Sequence, residues 1–301
     1  MITLNSDRGL IQVEDWLEIE SRPGFSKELD PTAHKLKAII GRYVFPERIR
    51  CGLSNCHTPH AKGYIVVTED GRETNIGKDC GKTYFGVDFE VLSRRFDEDL
   101  AASQNRESLA TFGFQLDELE ARIKTLRAAE HGADWVYKNT RELISMGRAC
   151  PEGVVSRIEG MVRSRNPEVT VERRATEEEV QEVEVRERRE VSRPHYLTDV
   201  IGRIAGIEAL YPENNLRELL VIDLETHINE FRDLTIASLT HVELRRWAKW
   251  IATVENTLAR ADAAVAFGRL LLCPDGLNPL LTTLPPGEQR EFRAYIRTLK
   301  S

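Results

Sequence analysis

No stretch of the 301-residue chain approaches the roughly 20 consecutive apolar residues of a membrane-spanning helix. The opening "MITLNSDRGLIQVEDWLEIE" also lacks a basic region followed by an apolar run, and carries acids where a signal peptide needs bases. Both absences read as a soluble, cytoplasmic protein with no membrane partner. Positive charge is short: 42 Lys and Arg against 49 Asp and Glu give a formal charge of -7. That excludes nucleic-acid binding by bulk basicity and leaves only a local patch for the task. Cysteine is scarce, at five residues, and no C-x-x-C occurs, which excludes a thioredoxin-type pair. Five cysteines with three of them clustered suit a reduced compartment and a metal better than a disulfide framework. Cys150 and Cys273 stand alone, each before a proline, and read as incidental thiols. His131, His195, His227 and His241 have no sequence neighbours that suggest a triad or a metal site.

What is present suffices for one large or two ordinary domains, since 41% of the residues are hydrophobic. "KLKAIIGRYVF" reads as a strand. From Asp88 the pattern turns helical, with Phe89, Leu92, Phe96 and Leu100 three and four apart. After a break at "TFGF" it continues with Leu116, Leu119, Ile123 and Leu126. Residues 166–194 are dominated by Glu and Arg and read as a charged linker or extended helix. Past Pro194 the chain is expected to be helical again. Its most regular segment follows a capping-box pattern at Thr240 and Glu243. There Leu244, Trp247, Ile251, Val254, Leu258 and Ala261, reaching Val265, form an a/d seam, the pattern of a bundle helix or of a coiled coil. "CPDGLNPL" and "LPPGEQ" read as breaks before a last short helix. The expected fold class is mainly α: a small N-terminal α+β zinc-binding module, then helical segments and a C-terminal helical bundle. The divisions are a strand and loop lead-in 1–47, the module 48–100, a helical region 101–165, the charged segment 166–194 and a helical domain 195–301.

The chemistry concentrates in "RIRCGLSNCHTPHAKGYIVVTEDGRETNIGKDCGKTYFG", residues 48–86, which holds three of the five cysteines and two of the seven histidines. Cys51 and Cys56 are followed at once by His57 and His60. Cys80 arrives after a hairpin in which Tyr64–Thr68 forms one strand, "EDGR" the turn and "ETNIG" the return. Zinc takes four N or S ligands in a tetrahedron. Cys51, Cys56 and Cys80 supply three thiolates, and His60 the imidazole of a closed, structural Zn2+ site. His57 is the alternative ligand; it abuts Cys56 and would need an awkward chelate geometry.

The order of knuckle, hairpin and ligand at a helix N-terminus resembles the treble-clef group of zinc fingers over about residues 48–100. The usual treble clef draws two ligands, spaced C-x-x-C, from its second knuckle. Here Thr83 stands three after Cys80, which leaves the fourth ligand to a histidine and keeps a zinc-ribbon variant open.

"GKDCGKT" imitates a phosphate loop, but Gly77 and Gly81 enclose one residue fewer than a Walker A requires. A nuclease of the HNH kind would need a histidine base with further metal ligands on the helix; His57 could serve, but "CGKTYFGVDFEVLSRRF" offers no histidine. From Lys35 to Lys82 nine Lys or Arg face five acids, a local excess of positive charge in an acidic chain. Lys78 and Lys82 flank Cys80 where helix N–H groups also favour phosphate. The expected function is therefore non-enzymatic binding of DNA or RNA through Lys78, Lys82, Arg72, Arg50 and Lys62, with Tyr64 stacking on bases. The C-terminal half would mediate assembly, by self-association through the 244–265 seam or by recruiting a protein partner. A protein-binding adaptor with purely structural zinc is the alternative.

Overall fold

A computed structural model of the chain describes residues 1–6, 9–145 and 150–299. The chain is mainly α with a small N-terminal antiparallel sheet. It divides into two compact units, Met1–Phe112 with Thr235–Lys249, and Gly113–Leu234 with Trp250–Ser301.

The first unit is built on strands β1 (Ile2–Ser6), β2 (Gly9–Val13), β3 (Leu36–Arg50), β4 (Pro59–Thr68) and β5 (Glu73–Ile76), in the order β2-β1-β3-β4-β5. Both faces of this sheet are covered. Tyr64 and Val66 of β4 join Ile76 and the helical residues Phe89, Phe96 and Leu100 in one core. Ile65, pointing the other way, joins Ile2, Leu4, Val13, Tyr43 and Ile19 of the short helix α1 (Trp16–Glu20) in a second. Ile39 and Tyr43 would share a face in a regular strand, yet they belong to opposite cores. The pairing of β3 with β4 slips between Ile39 and Gly41 and again between Val44 and Ile49, and an irregularity of this kind turns the side chains over. The expected β4–β5 hairpin is present, with Tyr64 opposite Ile76.

Helix α2 (Lys78–Gly113) starts ten residues before the periodicity announces it, because it consists of two helices joined at Gly86. There the backbone takes φ 60 and ψ -137, a region that side-chain-bearing residues avoid. A Cβ at Gly86 would meet nothing within 4 Å, so any cost of substitution comes from the backbone alone. Gly86→Ala is expected to destabilise the protein by about 1–3 kcal/mol, read as a shift in urea midpoint; an unchanged midpoint would show that the kink is not imposed by the fold.

The second unit contains α3 (Leu116–Ala128), α4 (Ala133–Leu143), α5 (Glu152–Ser164), β6 (Glu168–Arg174), α6 (Glu177–Glu187), β7 (Tyr196–Arg203), a π-helical stretch (Arg217–Thr226) and α7 (His227–Arg232). It closes with most of α8 (His241–Leu271), then α9 (Pro274–Leu281) and α10 (Pro286–Thr298). Val154, Ile158, Val169, Ile204, Leu277 and Phe292 lie in its core, together with Cys150.

Three segments differ from expectation. The charged stretch 166–194 holds β6 and α6, and β6 pairs with β7 in an antiparallel ribbon that replaces the helix expected after Pro194. Arg173 binds both Glu179 and Asp199, at 2.6 and 2.5 Å, so charge pairing holds together what apolar burial does not. "CPDGLNPL" forms α9 instead of a break, with Pro274 at its first turn, where proline's fixed φ and missing N–H are harmless. The capping box at Thr240 and Glu243 is present, with reciprocal hydrogen bonds of 2.8 and 3.4 Å. The seam it opens, however, is covered within the single chain: Leu244, Trp247, Val254, Leu258, Ala261 and Val265 are all buried. Ile251, on the same seam, is half-buried, and the coiled-coil expectation finds no support.

Candidate metal centre

Three elements carry the thiols. Cys51 directly follows β3, Cys56 lies in the turn leading to β4, and Cys80 sits in the first turn of α2. The loop is folded tightly by backbone bonds from Cys51 N–H to the Thr58 carbonyl, 3.1 Å, and from Cys56 N–H to the Leu53 carbonyl, 3.2 Å. As a result the three Sγ atoms lie within 4.8 Å of one another, and those of Cys56 and Cys80 are 3.3 Å apart. This group could hold a metal ion. Cys51 is buried, Cys56 and Cys80 half-buried.

The electrostatics suit a bound cation. Burial pushes the Cys80 thiol up to about 12, with the neighbouring thiols adding to it, and burial likewise raises Cys51. Burial opposes ionisation of Cys56 too, but hydrogen bonds from Thr58 and the adjacent thiols hold it below its ordinary value. Three thiolates so close cannot all be charged without a positive ion among them. The backbone N–H groups of Leu53 and Gly77 hydrogen-bond Cys51, the support expected around a ligating sulfur.

Neither imidazole belongs to the group of mutually close ligand atoms. His57 has φ 53 and places Nε2 3.4 Å from a Glu28 carboxylate oxygen. His60, paired opposite Ile49, has its Nδ1 2.8 Å from the Tyr43 hydroxyl, while its Nε2 is buried without any hydrogen-bond partner. An unpaired buried polar atom costs about 1–3 kcal/mol. Gly77 connects this ring to the thiols: its N–H reaches Cys51, and a Cβ there would come within 2.7 Å of His60 Cδ2, so only glycine lets the ring approach. Burial lowers the pKa of His60 and so favours the neutral form that binds metals. The orphaned His60 Nε2 is a candidate fourth ligand that lies outside the 4.8 Å group formed by the three thiols.

Tyr43 and Asn75 escaped the sequence reading. Asn75 Nδ2 donates to the Arg50 carbonyl at 2.8 Å and to the Tyr43 hydroxyl at 3.3 Å, tying the His60 partner to the strand that ends at Cys51. Their signal is weak, since an alternating strand residue and a polar residue in a hairpin are common.

Of the residues expected to touch nucleic acid, Tyr64, Lys78 and Lys82 line one cleft, while Arg50 and Lys62 lie on β3 and β4. Lys62, Lys78 and Arg50 are exposed. Lys82 is exposed but paired with Glu90 at 2.8 Å, and Arg72 lies 3.5 Å from Asp70. Tyr64 is buried, donates its hydroxyl to Asp97 at 2.7 Å and packs edge-on against Phe89; it has no free ring face for a base. The segment imitating a phosphate loop forms the first turns of α2, with no cradle of loop N–H groups. No protein-family model, curated protein or solved structure matches the chain.

Proposed function

We propose that the first unit binds one structural zinc ion through Cys51, Cys56 and Cys80 Sγ and His60 Nε2, in a treble-clef-like arrangement, and that it contacts nucleic-acid phosphates without catalysis. The observation that carries the metal reading is the cluster of three thiols; the buried, unpartnered His60 Nε2 lies outside that cluster and would have to close on it to complete the site. Three sulfurs and one nitrogen are the donor set of closed zinc sites, and such a site has no open position for a substrate. Support for the phosphate reading comes from placement. Arg48 and Arg50 at the end of β3 and Lys62 on β4 share one end of the strand pair, since Arg50 lies opposite Pro59 and Val44 opposite Lys62. Among the described residues these three and Lys78 are exposed and form no ion pair.

Fluorescence anisotropy with single-stranded and duplex DNA and RNA tests the reading. Three phosphate contacts on a duplex predict a loss of about 40-fold in affinity between 50 and 200 mM salt. Lys62→Glu combined with Lys78→Glu should abolish binding while zinc content stays intact. A salt-independent response, or none at low salt, would overturn it and favour the protein-binding adaptor. That reading has its own observation: Val87 and Val91, one helical turn apart on α2, are exposed.

A further inference from the structure

Building on the zinc reading, we infer that the metal centre is a peroxide-responsive site that closes to a Cys56–Cys80 disulfide. The three sulfurs are not equivalent. Cys51 is 1% exposed, is fixed by the N–H groups of Leu53 and Gly77, and packs in the sheet–helix core with Leu53 and Phe89. Cys56 and Cys80 are half-buried at the edge of that core, where a small oxidant reaches them. Their Sγ atoms are 3.3 Å apart, closer than the separation of about 3.8 Å that a tetrahedron with 2.3 Å zinc–sulfur bonds imposes. Cys56 stands in a turn and Cys80 in the first turn of a helix, so neither is held by a strand on both sides.

The chemistry balances with hydrogen peroxide as the oxidant. One thiolate attacks a peroxide oxygen, the O–O bond breaks, and a sulfenic acid forms as hydroxide departs and is protonated to water. The second sulfur then attacks the sulfenic sulfur, the S–S bond forms and a second water leaves. Two thiols and one peroxide become one disulfide and two waters, with two electrons passing to the peroxide. The centre thereby loses two of its four donors. Cys51 and His60 alone make a poor zinc site, so oxidation releases the ion and, with it, the folding energy it supplies.

Full-length zinc-loaded protein treated with peroxide tests this, with released zinc followed by a chromogenic chelator and disulfides mapped on peptides. The expected result is loss of one zinc per chain, a peptide linking Cys56 to Cys80, an unmodified Cys51, and restoration by dithiothreitol with added zinc. Zinc retained while the exposed Cys273 is oxidised, a disulfide that includes Cys51, or sulfinic acid at Cys56 without a disulfide would overturn the inference. If the protein as isolated held no zinc, the metal reading would fail, and the peptide map of that same protein would still decide the Cys56–Cys80 link.

Discussion

Purified full-length protein is expected to carry one zinc ion per chain, and Cys51→Ser, Cys56→Ser and Cys80→Ser each to release it, whereas Cys150→Ser and Cys273→Ser leave it in place. Cys150 lies in the core of the other unit and Cys273 caps α9, so neither thiol belongs to the group. The effect is large because structural zinc in small modules supplies about 10–16 kcal/mol of apparent folding free energy. Chelation should therefore unfold the first unit, seen as a lost melting transition. His60→Ala should weaken binding far more than His57→Ala; the reverse order would assign the fourth position to His57. Tyr43→Phe deprives His60 Nδ1 of its partner and is expected to weaken zinc by about 10–100-fold. Acid should act in the same direction. Burial holds the His60 pKa below its ordinary 6.5, so as pH falls the unfolded chain takes up that proton before the folded one does. Stability then decreases below about pH 6.5, and protonation of the thiolates adds to the loss. Elemental analysis of protein prepared without chelator decides the matter, and an absence of zinc would remove the metal reading.

The parts of the fold and of this centre that were legible in the sequence are those set by local spacing. Cysteine clustering, the β4–β5 hairpin and the capping box of α8 each lie within a short window, and each is present. What stayed hidden depends on pairing across distance. The slip between Ile39 and Gly41 that sends Ile39 and Tyr43 to opposite faces arises from the register of β3 with β4, which no window of β3 alone contains. Tyr43 reaches His60 only through that turn-over, which brings its hydroxyl to the imidazole. The charged segment misled for another reason. Strand β6 buries Val169 but leaves Val171 only half-covered, so its pairing owes much to the bonds of Arg173 with Glu179 and Asp199, and apolar periodicity cannot register ion pairs. At "CPDGLNPL" proline and glycine were read as punctuation, although proline in a first helical turn is equally a start signal.

Trp247→Glu is expected to be the most damaging substitution in α8. The side chain is 2% exposed, and Arg246 places its guanidinium 5.0 Å from the ring centroid. Truncating a buried tryptophan costs about 3–5 kcal/mol, and a carboxylate in the same volume adds its own desolvation. Against a usual stability of about 5–15 kcal/mol, the sum is enough to unfold the protein. Two comparisons on the same helix separate burial from any general intolerance to charge. Ile251 is half-buried, so Ile251→Glu should cost clearly less, since part of its side chain is already in water. Val242 is 74% exposed, and Val242→Glu should stay within about 0.5 kcal/mol of the parent. Urea denaturation followed by circular dichroism gives the order, and light scattering on the folded variants gives the mass. Because the seam is covered within one chain, Ile251→Glu should lower stability without changing the mass. A variant that kept its stability but lost half its mass would instead make this stripe an interface between copies, and the burial of Leu244, Trp247 and Val254 would need a partner chain to explain it.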